Sequence, residues 1–223
     1  MNDLLLATSN KHKVKEITAM LEGTGWEIYD LSDLPSIKLP PEEGETFQEN
    51  ALQKAMFGAE QSHMLVLADD SGLVVEALNG APGVLSARYA GEGHDDAANT
   101  AKLLDVLKGE ENRKAAFVCA MALAFPEEER FFVIEEWCEG LIAQEPIGEN
   151  GFGYDPVFYV PELGKTMAQL SDDEKNNISH RGKALARMNK MLTDVLEICQ
   201  DKMLTPEIVQ ELKEKHQREQ DNA

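Results

Sequence analysis

Two aspartates stand side by side where an apolar run gives way to polar residues, in Ala68-Asp69-Asp70-Ser71-Gly72. Carboxylates so placed cost desolvation unless something positive meets them. Their oxygens are hard ligands, and Mg²⁺ commonly takes one or two carboxylates beside water and substrate phosphates. The plain structural alternative is a tight turn whose aspartates hydrogen-bond to nearby backbone. Three other segments could act with them. Thr8-Ser9-Asn10-Lys11-His12-Lys13 reads as a turn opening a helix, and a helix N-terminus offers free N–H groups and a favourable dipole end to phosphate. The same run would also serve as an ordinary helix cap with solvated lysines. Gly151-Phe152-Gly153-Tyr154-Asp155-Pro156 flanks an aromatic with glycines, so backbone can approach a ligand closely and a ring can stack on a base; equally, Phe152 and Tyr154 could plug the core. Lys175 to Lys183 gathers donors suited to phosphate or base oxygens, His180 and Arg181 among them, or forms a polar helix start.

These segments need a scaffold, and its elements can be read from periodicity. Leu4 to Ala7 is a short apolar strand that runs into the first turn. Val14, Ile17, Thr18 and Leu21 then recur on one helical face. Trp26 to Leu31 alternates as a second strand, and the proline- and glutamate-rich stretch from Pro35 to Glu45 is a loop. Thr46 to about Ser62 is helical. Met64 to Ala68 is a short buried strand expected to end at Asp69-Asp70. Gly80-Ala81-Pro82-Gly83 is a turn and His94 to Lys108 a helix. Ala115 to Ala124 and Phe131 to Cys138 should pair around a turn at Pro126, with loop from Glu145 to Pro156. Asp172 or Ser179 opens the last main helix, whose stripe runs Leu185, Met188, Met191, Leu192, Val195, Leu196, Cys199. From Thr205 a capped surface helix is expected to fray into a charged end. Early alternation of strand and helix, with a strand pair in the middle, implies an α/β fold with a mixed sheet.

Composition narrows the partners. A chain of 223 residues can bury a core without staples. The net charge of -20 argues against duplex nucleic acid and against anionic membranes as partners, but not against a small phosphate ligand. No apolar run approaches a membrane span or a signal core, so a cytoplasmic protein is expected. Cys119, Cys138 and Cys199 are widely spaced, lack zinc-ligand spacing, and read as buried free thiols.

In order and spacing, residues 3–197 resemble the inosine triphosphate pyrophosphatase family, the XTP/dITP diphosphatases. The matching pieces are Thr8-Ser9-Asn10 with Lys13, Thr46-Phe47-Gln48-Glu49-Asn50-Ala51, Ala68 to Leu73, Gly80 to Val84 with Ser86 to Tyr89, Gly151 to Pro156, and Ile178-Ser179-His180-Arg181-Gly182. Ser9 stands where many members carry glycine. The resemblance implies a mixed central sheet flanked by helices, in two lobes with an active-site cleft between them. It implies a pyrophosphatase domain over residues 1–200, a charged tail over 201–223, and a homodimer. The implied activity is hydrolysis of non-standard purine nucleoside triphosphates (ITP, dITP, XTP) to monophosphate and pyrophosphate with Mg²⁺. Asp70 resembles the family's catalytic carboxylate and a metal ligand, and Ser71 a substrate contact. Glu42 resembles a second metal ligand, with Glu43 as the alternative because the acidic loop departs in length. Thr8, Ser9, Asn10, Lys11, His12 and Lys13 resemble the triphosphate turn. Phe152, Gly153, Tyr154, Asp155, His180 and Arg181 resemble the base pocket, and Lys175 a substrate-binding lysine.

Overall fold

The computed structural model describes residues 2–93, 95–126 and 130–201. The expected tail helix from Thr205 and the side chain of Cys199 lie outside the described residues. Seven strands form one mixed sheet in the order β2-β1-β3-β4-β5-β6-β7. β1 (Asp3–Leu6) lies parallel to both β2 (Glu27–Asp30) and β3 (Leu65–Val75). β4 (Lys114–Ala124) and β5 (Phe131–Ile142) continue it antiparallel, as the two runs flanking the Pro126 turn implied. Two short strands absent from the sequence reading, β6 (Phe158–Val160) and β7 (Lys165–Thr166), close that edge. Contacts divide the chain into a unit of Met1–Met188 and a second from Asn189. None of the described helices is long and apolar enough to cross a membrane.

The helices begin where their capping chemistry says they should. α1 (Lys11–Leu21) starts on Asn10, whose side chain accepts from the backbone N–H groups of His12 and Lys13. α2 (Phe47–Ser62) starts on Thr46 with a reciprocal Thr46–Glu49 capping box. α3 covers Asp96–Val106. Both proposed starts near residue 175 are real: α4 (Asp172–Ile178) opens on Ser171, and α5 (His180–Asp201) follows Ser179 directly. Gly182 permits that junction, since a Cβ there would lie 1.8 Å from the Asn176 carbonyl oxygen.

Strand alternation sorts side chains onto two faces. Val66, Ala68, Val118, Ala120 and Ala122 pack with Phe47, Ala51 and Ala55 of α2. Leu73, Val75, Phe117, Cys138 and Phe158 pack in a second core with Leu103 and Leu107. Here the sequence reading needs correction: β3 does not end at Asp69-Asp70. It continues to Val75, because β4 pairs with it from Val66 through Val75. What ends there is β1, whose last register partner is Leu6 with Leu67. Residues 69 to 72 therefore keep a neighbour on the β4 side and face the chain's first turn on the other. That opening lies at the carboxyl end of the parallel strands, where open α/β sheets take ligands.

Candidate active site

The opening is a pocket of about 230 Å³, walled by the first turn, the acidic loop, β3, the 152–155 loop and the α4–α5 junction. Because neighbouring strand residues point oppositely, Asp69 and Asp70 belong to different networks. Asp70 faces α2: Asn50 donates to its Oδ2 at 3.0 Å, and Lys54 Nζ lies 3.5 Å from its Oδ1. The same ammonium donates to Glu42 Oε1 at 2.6 Å, so Lys54 stands between the two carboxylates. Burial pushes the Asp70 carboxyl above its ordinary value despite Lys54 and Lys13. Burial also raises Glu42, but Lys54, with Lys13 and Arg88, outweighs it and holds Glu42 below its ordinary value. Lys54 is itself disfavoured by burial, yet Asp70 and Glu42 keep it firmly charged.

Asp69, on the other face, is fully buried. Its Oδ2 accepts from Ser71 at 2.7 Å and from Arg181 Nε and Nη2 at 3.3 Å, and it pairs with Lys13 at 3.0 Å. Burial opposes the charge, but Lys13 and Arg181 hold the carboxyl well below the usual carboxylate range. Arg181 also donates to Glu16 at 2.6 Å, and Glu16 accepts from Lys175 at 2.8 Å. Lys175 in turn donates to Asp155 Oδ2 at 2.6 Å. The wall from Lys13 through Arg181 to Lys175 is thus a chain of cations held by carboxylates behind it. Its remaining donor capacity can meet phosphate or a base oxygen.

The aromatic side of the pocket is divided. Tyr154 belongs to the core and donates its hydroxyl to the Ser86 carbonyl at 2.8 Å. Phe152 is only half-buried, with Lys175 Nζ 4.7 Å and the Arg181 guanidinium 5.7 Å from its ring centre. The core-plug reading of this loop describes Tyr154, while Phe152 stays at the pocket wall. His180 is buried, stacked on Phe117 at 4.8 Å, with Nδ1 lacking a hydrogen-bond partner. Burial, then Arg181 and Lys175, hold it well below its ordinary value, so the ring is neutral. A neutral imidazole presents one donor and one acceptor. A second hollow of about 530 Å³ is lined by Trp137, Glu139 and Glu162 with an exposed Lys114–Glu76 pair at 4.0 Å, so one cation there faces three carboxylates.

The sequence profile of the Ham1 family matches residues 4–191. The chain belongs to the Ham1 family. It is similar to the dITP/XTP pyrophosphatase of Bacillus anthracis, 49% identical over 197 residues that make up 87% of this chain and 98% of that one. The dITP/XTP pyrophosphatase of Desulforamulus reducens is 50% identical over 191 residues, 85% of this chain and 94% of that one. Among solved structures, a HAM1 protein from Coxiella burnetii superimposes with a TM-score of 0.81 at 42% identity, covering 87% of this chain and all of that one.

Within this Ham1 fold, most residues singled out in the sequence meet in one pocket. Thr8, Ser9, Asn10, Lys13, Glu42, Asp70, Ser71, Phe152, Gly153, Tyr154, Asp155, Lys175, His180 and Arg181 all line it. Glu42 lines it, while Glu43 is exposed. Two residues of the first turn do not line it: Lys11 and His12 are exposed on α1. Helix residues advance about 100° each, so of 11 to 13 only Lys13 turns toward Asp69. Sequence reasoning passed over Lys54, Glu16 and Asp96 as site residues. Lys54 and Glu16 sit on amphipathic helices where charge reads as solvated surface. A lysine one turn after Asn50, amid alanines of the buried α2 face, was the available signal for Lys54.

Proposed function

We propose that this chain hydrolyses dITP, ITP and XTP to the nucleoside monophosphate and pyrophosphate. The observation that carries the reading is its 49% identity to dITP/XTP pyrophosphatases over nearly their whole length. The pocket supplies suitable chemistry for each part of such a substrate. Asp70, which lines the pocket and whose carboxyl burial raises above its ordinary value, accepts the proton of the attacking water. Lys13 and Lys175 stabilise charge on the phosphates, the kind of preorganised electrostatic term that dominates phosphoryl transfer. Phe152 offers a face for the base. His180 and Arg181 donate to a 6-keto oxygen, whereas an adenine amino group would set its donors against the Arg181 guanidinium, which has no acceptor. Mismatches of that kind discriminate by about 10⁴-fold when the groups are buried.

The donors present fit Mg²⁺. Glu42 and Asp70 converge on one spot that already draws the Lys54 ammonium, at 2.6 Å and 3.5 Å. Among the described residues there is no cluster of three or more His, Cys, Asp or Glu side chains that could hold a metal. Two carboxylates with water and phosphate oxygens completing the shell is the way Mg²⁺ ordinarily binds. Bound there, the ion would neutralise charge on the leaving pyrophosphate. A homodimer and a cytoplasmic location complete the proposal. Exposed Phe131, Phe132 and Trp137 on β5 support the first, and the free buried thiols Cys119 and Cys138 the second.

The test is hydrolysis of ITP, dITP and XTP beside ATP and GTP, with and without Mg²⁺, with pyrophosphate and orthophosphate assayed separately. Metal-dependent pyrophosphate release from the 6-keto substrates, with ATP refused, is expected. Orthophosphate release, or equal rates on ATP, would make the chain a general metal-dependent phosphatase instead.

A further inference from the structure

His12 was expected on the phosphate turn, yet its ring does something else. It stacks on Phe152, with ring centres 5.0 Å apart and planes 17° from parallel. Phe152 lines the pocket and His12 does not, so the imidazole covers the ring from outside the pocket. The loop carrying Phe152 needs such a support. Gly148, Gly151 and Gly153 all have positive φ, so the backbone around Phe152 is made of residues with wide conformational freedom. The backbone is pinned by Asp155, which accepts the Phe152 N–H at 2.9 Å, and by Asp96, which accepts the Gly153 N–H at 2.8 Å. Neither bond fixes the plane of the aromatic ring. On the other side, the His12 backbone is itself fixed, since its N–H donates to the Asn10 cap at 3.0 Å.

We infer that His12 is a positioning residue that ties the Phe152 ring to the N-terminal turn of α1 and so sets the base-stacking plane at a fixed place relative to the phosphate turn. The inference rests on the nucleotide hydrolase reading above. It predicts that base and phosphate subsites are joined by an aromatic contact rather than by backbone. The contact acts on the base side only: Lys13, Asn10 and Thr8 keep their places without the imidazole. The experiment measures kcat and KM for ITP, and the inhibition constant of inorganic tripolyphosphate, which has no base, in wild type, His12→Ala and His12→Phe. Aromatic pairs contribute enough that His12→Ala should raise KM about three- to tenfold, with kcat changed less than about twofold. Tripolyphosphate inhibition should not move, and His12→Phe, keeping a ring but no imidazole nitrogen, should restore KM. An unchanged KM in His12→Ala, a parallel rise in KM and the tripolyphosphate constant, or failure of His12→Phe to restore KM would each overturn the inference. Wild-type protein inactive on ITP would instead overturn the hydrolase reading, and this inference with it.

Discussion

Asp69 and Asp70 are neighbours of the same type, and asparagine in place of each should have opposite consequences. Asp69 is the common acceptor for Lys13, Ser71 and Arg181, and no water reaches it. Asp69→Asn would turn an amide toward those donors and leave Lys13 without its carboxylate. Breaking a buried ion pair by removing one partner costs about 3–5 kcal/mol. For a chain of this size that corresponds to a melting temperature lower by roughly 10 °C. Asp70 is different: its ionised form is disfavoured by burial, and Glu42 keeps Lys54 paired without it. Asp70→Asn should therefore melt within about 3 °C of wild type or slightly above it, while turnover falls about a hundredfold or more. The pH dependence follows from the directions of the two shifts. A carboxyl held below its ordinary value stabilises fully above about pH 4 and loses that contribution as pH falls further. The deficit of Asp69→Asn should accordingly narrow below pH 4. A carboxyl raised above its ordinary value destabilises the fold at neutral pH, so Asp70→Asn should show no deficit there to narrow. Thermal melts of the three proteins between pH 3 and pH 8, with ITP turnover at pH 7, make the measurement. Asp69→Asn melting with wild type, or Asp70→Asn melting as low as Asp69→Asn, would refute the assignment of the two carboxylates to opposite faces.

Other outcomes are expected from the same geometry. Glu42→Gln should raise the Mg²⁺ concentration for half-maximal activity about tenfold, while Glu43→Gln, whose carboxylate is exposed, leaves it unchanged; a metal titration of activity separates them. Asp96→Ala removes the acceptor of the Gly153 N–H and should raise KM for ITP about two- to fivefold with little change in melting temperature, since one neutral-donor hydrogen bond at an exposed carboxylate contributes about 1 kcal/mol. Gly182→Ala sets a Cβ against the Asn176 carbonyl, forcing the α4–α5 junction apart. It should cost about 3 kcal/mol, seen as an earlier urea midpoint with unchanged slope.

The sequence by itself determined whatever depends on near neighbours. Asn10 and Thr46 set helix starts because a capping side chain reaches only two or three residues along the chain. The strand pair around Pro126 was legible because two apolar runs either side of a turn are a local signal. The clustering of polar segments at strand ends pointed to the pocket, and the family motifs named most of its lining. Tertiary structure decided which charges meet. Glu16 meets Arg181 across 165 residues, and Lys13 meets Asp69, only because β1 and β3 are adjacent in the sheet and α5 returns beside them. The extent of β3 was also decided there. Asp69 to Gly72 look like a turn in sequence, and they stay in the strand because β4 supplies hydrogen-bond partners along the whole edge. Lys54 and His12 show the same limit from the other side. Each lies on a helix whose local pattern does not name its partner, and only the neighbour brought by the fold, a carboxylate pair for one and an aromatic ring for the other, gives the side chain its place.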